Sequence, residues 1–474
     1  MKRSLLSACF FVMLALGVYA QEETIVLKKG IVQDSIQVRD SISETFAIYL
    51  PKSFDNSRAW PVLFVMDMEG KGKEALHKFK NAAEKQQYIL AASNNLRDTL
   101  NISENVLVTN RLINSVIALL PVHKERLYTT GFGAGARMAS IIPVFIKQIS
   151  GVVSIGAAFP NYELLYNKIR FHFVGVVGRE DYNFTSMWKG RSRLNGLKIP
   201  NDLIVHDGGY DWPNPLLVEK AVERLSLAAL KDSLMPSDSI RINRAYLRDY
   251  EQVEEQIQAR RLLEAVGMLN SMHSAYRDLV NIDSLVKKRR SLRKSKIYKA
   301  QLRELNNLMF KENLIQGEYE FSLLQDLDNL NYNNLGWWNY QMKELQKYEE
   351  KPSFREKQLG RRLAGYLNAL VEDNLDIEQA RSDVDEEAIS LLWMIKTITD
   401  PSDHSYYLKI ISDSARYEDF GTAIFYLEEL LKQGYTDKEA IYALEHTALL
   451  RITPEFNKLI DKYLDAPRYK LNEQ

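Results

Sequence analysis

Two patterns of apolar and polar positions divide this chain. Up to about residue 230, short apolar runs alternate with segments of helical spacing. Residues 45–51, Thr-Phe-Ala-Ile-Tyr-Leu-Pro, alternate and end at a proline, as an edge or second strand does. Residues 61–67 are an almost continuous apolar run, of the kind buried on both faces of a parallel sheet. Residues 88–92, 126–130, 152–155, 171–177 and 203–206 read as further strands, and 24–28 and 35–38 as short ones joined at Lys29-Gly30. Residues 107–120 place Leu112, Val116 and Leu119 on one helical face. This alternation predicts a doubly wound, mostly parallel α/β sheet over residues 21–230.

Beyond Pro236 glycine and proline thin out, and Glu, Lys, Leu and Arg take over. A polar linker is expected at 231–240 and an all-α, repeat-like domain at 241–474. Residues 248–268 read as a charged helix with Val253, Ile257, Leu262 and Val266 as its apolar positions. Residues 283–310 carry Lys287, Lys288, Arg289, Arg290, Arg293, Lys294 and Lys296. That run reads as a solvated helix face offset by nearby Glu-rich segments. Trp337 and Trp338, with Tyr332 and Tyr340, are expected to pack helices together. Residues 415–435 resemble one tetratricopeptide-type helix pair, with Gly421 and Ala423 allowing close approach and Leu427 and Leu430 filling the core. Residues 438–446 and 454–463 continue as a second pair. Such helical arrays present surfaces to other proteins, so a protein partner is expected for this half.

The first residues change the compartment. Lys2 and Arg3 precede an apolar run that ends in Val18-Tyr19-Ala20, the form of a cleaved secretory signal peptide over residues 1–20. Cys9, the single cysteine, lies inside it, so a mature exported chain has neither disulfides nor thiolate metal ligands. No later run is long enough to span a membrane. With 62 basic and 62 acidic residues the net charge is zero, which argues against nucleic acid as a partner. A pattern of Asp, then Ser or Thr, then an apolar residue recurs, as at Asp40-Ser41-Ile42, Asp238-Ser239-Ile240 and Asp413-Ser414-Ala415. It resembles an O-glycosylation sequon of periplasmic proteins; Asp-Ser is equally a turn or helix N-cap pair.

The stretch bearing on chemistry is Leu127-Tyr128-Thr129-Thr130-Gly131-Phe132-Gly133-Ala134-Gly135, a strand, a sharp turn and the start of a helix. It has the layout of the G-x-S-x-G nucleophile elbow, with Gly133 at the serine position. Val177-Gly178-Arg179-Glu180-Asp181 matches the strand-end segment that supplies a catalytic acid, at Asp181. His206-Asp207-Gly208-Gly209-Tyr210-Asp211-Trp212-Pro213 is similar to a G-G-H-x-W-P segment, with Tyr210 at the histidine position. In this order the three segments resemble the α/β-hydrolase superfamily, and within it secreted esterases related to polyhydroxybutyrate depolymerases and feruloyl esterases.

The resemblance implies a triad of which two members, Gly133 and Tyr210, are replaced. It also implies oxyanion donors from the loop at Asp67-Met68-Glu69-Gly70, which lacks the family's usual sequence, and from the Ala134 N–H. Ser140, Ser154, His123, His172 and His206 read as structural residues. The expectation is an exported pseudoenzyme with a binding or scaffold role, needing no metal or cofactor. Asp67, Phe132, Ala134, Tyr210 and Trp212 are the candidate contacts for a small ligand in the former cleft. The competing reading is a serine-type esterase with a non-standard active site.

Overall fold

The computed structural model describes residues 26–38, 43–165 and 169–465. The apolar segment at 1–20 and the Asp40-Ser41-Ile42 site lie outside the described residues. The strands are β1 (Val32–Gln37), β2 (Thr45–Tyr49), β3 (Trp60–Met66), β4 (Ile89–Ser93), β5 (Val122–Phe132), β6 (Ile149–Ile155), β7 (His172–Gly178) and β8 (Asn201–His206). They form one sheet in the order β1-β2-β4-β3-β5-β6-β7-β8. β2 pairs antiparallel with β1 and β4, and every pairing from β4 through β8 is parallel. Residues 26–28, expected in a strand, are irregular; the extended contact there is a bridge between Lys29 and Leu50.

Side chains alternate across a strand, so each strand feeds two cores. On one face Phe46, Ile48, Val62, Phe64 and Met66 pack beneath α2 (Ile102–Leu119) and α3 (Ala134–Phe145). On the other, Ala47, Tyr49, Leu63 and Val65 pack against α1 (Gly72–Gln86) and α5 (Pro215–Lys231), the helix that follows α4 (Phe184–Gly196) along the chain. All seven residues of β3 are buried, which is why that segment reads as an unbroken apolar run. α2 begins five residues earlier than its apolar face suggests, because Asn101 and Glu104 form a reciprocal capping box. An α/β sheet domain is thus followed by a large all-helical region.

Residues 232–238 link α5 to α6 (Ser239–Gln258). The expected helix at 248–268 is two: Arg260 takes φ 57° and α7 (Leu262–Tyr276) starts after it. The expected helix at 283–310 also divides, into α8 (Asp283–Lys294) and α9 (Lys296–Asn329), with Ser295 extended and capping the second. α10 (Leu335–Gln346) and α11 (Phe354–Gln379) follow, then α12 (Glu386–Thr399), α13 (His404–Arg416), α14 (Phe420–Lys432), α15 (Lys438–Ala443) and α16 (Pro454–Leu464). Residues 415–435 thus hold the end of α13 and all of α14 rather than a complete helix pair. Gly421 is no point of close approach, since a Cβ there would meet nothing nearer than an Asp419 carboxylate oxygen at 3.5 Å. Ala423, Leu427 and Leu430 are fully buried. Trp338 is fully buried, donates to Asp326 at 2.8 Å and packs against Trp337 and Tyr319. Asp238 is the N-cap of α6, whereas Ser414 is buried within α13.

The helical region is welded to the end of the sheet. Arg224 on α5 is 3 % exposed and sits between Asp202 on β8, at 3.1 Å, and Asp249 on α6, at 2.5 Å. Tyr276 on α7 donates to Asp249 at 2.9 Å, and Ser271 donates to Asp202 at 2.7 Å. Beside this network Val177, Phe184, Met187 and Leu203 share a core with Leu262, Leu263, Val266, Leu305 and Met309.

Candidate functional site

β5 ends at Phe132 and α3 starts at Ala134, leaving Gly133 alone to reverse the chain. Its φ of 53° and ψ of −118° lie where a side chain is strained and glycine is not. The Gly133 N–H stays in the sheet, donating to the Ile155 carbonyl at 3.0 Å. Small neighbours make the turn possible. A Cβ on Gly135 would overlap the Met66 carbonyl oxygen, with the carbonyl carbon at 3.1 Å, and one on Gly131 would overlap the Gly135 backbone.

What stands above Gly133 is Tyr210. A Cβ built on Gly133 would overlap the Tyr210 hydroxyl, with Cζ at 3.3 Å. The space a nucleophile's side chain needs is therefore held by the residue at the base position. The Tyr210 ring packs on Phe132 at 4.8 Å and on Tyr182 at 4.7 Å. Phe132 in turn stacks on Trp212 at 5.0 Å, and Trp212 meets Phe79 of α1 edge-on at 5.9 Å. Gly156, with φ 66°, lets β6 end beneath these rings, since a Cβ there would lie 3.2 Å from Phe132 and 3.3 Å from Tyr210. Tyr210 and Tyr182 are hydrogen-bonded through their hydroxyls, and burial raises the pKa of both against the opposing charge of Arg137.

Asp181 follows β7 and is 2 % exposed. Its carboxylate accepts the Asn183 N–H at 2.7 Å. Burial pushes its pKa up to about 6, against the lowering effects of that bond and of Arg362. Its negative charge is close enough to oppose ionisation of Tyr210. Gly133, Asp181 and Tyr210 thus converge, but among the described residues no imidazole stands between them. His206 is at the end of β8 with Nδ1 3.1 Å from the Asp207 carbonyl oxygen, and burial lowers its pKa. Ser140 and Ser154 are fully buried, and their hydroxyls donate to the Ala136 and Ala157 carbonyls at 2.7 Å. His172 pairs with Asp232 at 2.9 Å, away from the elbow.

The loop after β3 turns in on itself. Asp67 accepts the Glu69 N–H on its carboxylate at 3.1 Å and the Gly70 N–H on its carbonyl at 3.2 Å. Two N–H groups that could face an oxyanion are therefore committed to the turn. Ala134 is exposed at the first position of α3, where helix N–H groups lack intrahelical partners.

α11 also meets this site, a contribution sequence reasoning missed. Arg361 pairs with Glu180 at 2.6 Å. Arg362 donates to the Arg179 carbonyl at 2.9 Å and forms a fully buried pair with Glu312 of α9 at 2.6 Å. Thr185 donates to the same Glu312 carboxylate at 2.9 Å. Gly365 faces Tyr182, so that a Cβ would lie 3.7 Å from its ring. Farther along, Asp373 bears electrostatically on Tyr210, and Asp376 on Asp98 of the loop after β4. The helix therefore crosses the carboxyl edge of the sheet. Nothing local in residues 354–379 announces this; Tyr182, directly after Asp181, was the one neighbour within reach of motif reading.

No family model matches the chain, and no curated protein matches it. Solved structures similar to it include an S-formylglutathione hydrolase from Staphylococcus aureus, at 10% identity and TM-score 0.33 over 42% of this chain and 99% of that one. Est1E from Butyrivibrio proteoclasticus aligns at 10% identity and TM-score 0.34, covering 42% of this chain and 98% of that one. A ferulic acid esterase aligns at 12% identity and TM-score 0.33, covering 41% and 96%.

Proposed function

We propose that this is an exported hydrolase-like protein that has lost catalysis and works by binding, its helical half serving as a scaffold for another protein. The observation that carries the loss of activity is Gly133 with the Tyr210 hydroxyl in the space a nucleophile would fill. Losing the serine of a triad alone costs about a millionfold in turnover, and here the base is replaced as well. The self-bonded Asp67 turn removes donors from the oxyanion side. Apolar side chains exposed on α14 (Phe425) and in the turns between the last helices (Tyr417, Leu449 and Ile452) support a protein-binding role for that half. The residues at 1–20 are the ground for export, with Gln21 as the mature N-terminus. The purified chain lacking residues 1–20 is expected to hydrolyse p-nitrophenyl acetate no faster than an unrelated protein at equal concentration. Saturable turnover, lost when one side chain near the elbow is changed, would establish the competing esterase reading.

A further inference from the structure

The basic run in α8 is not neutralised by its surroundings. Among the described residues Lys288 alone of that run forms an ion pair, with Glu254 at 2.9 Å. Arg289 donates to the Asn270 side chain at 3.3 Å. Arg290, Arg293 and Lys294 are exposed and reach no carboxylate among the described residues. Val286, Arg289, Arg290, Arg293, Lys294 and Lys299 instead line one hollow of about 360 Å³, without an acidic residue in its wall.

Two features set this apart from an ordinary solvated face. Arg289 with Arg293, Arg290 with Arg293, and Arg290 with Lys294 are like charges three or four residues apart, a spacing that opposes helix formation. The carboxyl end of α8 favours cations, but Lys296 and Lys299 lie in the first turn of α9, where the helix dipole opposes them. The positive field is felt locally: after burial, the charges of Arg293, Arg191 and Arg290 hold the Arg289 guanidinium below its usual range. The chain as a whole carries equal numbers of acids and bases, so this local excess of positive charge is not a property of its overall composition.

We propose that this hollow is a binding site for a multiply charged oxyanion, a group bearing two or more phosphates. Guanidinium forks bind phosphate through paired, charge-assisted hydrogen bonds, and the lysines add point charges at the rim. Either a lipid headgroup or a soluble phosphate has this chemistry.

The test titrates the chain lacking residues 1–20 with sodium tripolyphosphate by calorimetry, and sediments it with vesicles containing cardiolipin, a lipid whose headgroup bears two phosphates. The R290E/R293E variant, changed at exposed positions, is compared with K343E/K458E, a control of equal charge change on α10 and α16. Tripolyphosphate is expected to bind, with affinity falling about tenfold or more in R290E/R293E and little in the control. Vesicle binding that tripolyphosphate displaces identifies a headgroup as the source; tripolyphosphate binding without vesicle binding identifies a soluble anion. Equal weakening in both variants, or no binding of either probe, overturns the proposal.

Discussion

At Gly133 the absence of a side chain serves two ends. It removes strain at φ 53°, and it makes room for the Tyr210 hydroxyl. Gly133→Ala is expected to cost about 1–3 kcal/mol through backbone strain and displacement of Tyr210. In a double-mutant cycle with Tyr210→Ala, the overlap disappears while the strain remains, so the two changes couple by about 1 kcal/mol. Strictly additive effects in chemical denaturation would mean that Tyr210 does not rest on Gly133. Asp181 makes a second residue-scale point. A triad aspartate faces an imidazole; this one is buried without one, and its pKa rises to about 6. Its folded pKa lies above the ordinary value of 3.8, so the fold favours the neutral carboxyl. Stability linked to this group is present below the ordinary pKa and is lost as pH rises through the folded one. Asp181→Asn is therefore expected to gain on the native chain between about pH 4 and pH 7, by up to about 3 kcal/mol. A stability difference that stays constant across that range contradicts a carboxyl that burial holds neutral.

Among the elements, α11 decides how the helical half bears on the carboxyl edge of the sheet. Arg362 is 3 % exposed and Glu312 fully buried, and both also hold the segment from Arg179 to Thr185. Arg362→Ala leaves a buried carboxylate unpaired and is expected to cost about 3–5 kcal/mol. Arg361→Ala, at a side chain 43 % exposed, should cost less than about 1 kcal/mol. Hydrogen exchange should also quicken at residues 179–185 in the first variant only; equal, small effects from both would show that α11 merely rests on the loop. The strands of the sheet domain were legible in the sequence because burial on both faces writes itself as unbroken apolar runs, as in β3. The start of α2 was written too, in Asn101 and Glu104, but as a cap rather than an apolar face. The breaks at Arg260 and Ser295 were not, since neither glycine nor proline marks them. The passage of α11 over Glu180 depends on partners about 180 residues away, which no local pattern encodes.

For the whole molecule, the segment 232–238 reads as a linker, yet the buried Arg224, Asp249, Asp202 and Tyr276 cluster spans it. The shared core around Leu203 and Leu263 does the same. Proteolytic cleavage within 232–238 is therefore expected to leave a nicked chain that elutes as one species and unfolds in one transition. Separation of the fragments without denaturant would show two independent domains. Motif order singles out Gly133, Asp181 and Tyr210 in the sequence, and the structure brings the elbow, the acid loop and the tyrosine loop together because the sheet places their strand ends side by side. That the tyrosine fills the glycine's vacancy needed coordinates. The central claim is that a hydrolase frame survives here without a nucleophile. Its most direct test is intact-mass analysis of the chain lacking residues 1–20 after exposure to a fluorophosphonate. The account predicts an unmodified mass, whereas stoichiometric addition to any single serine would contradict it.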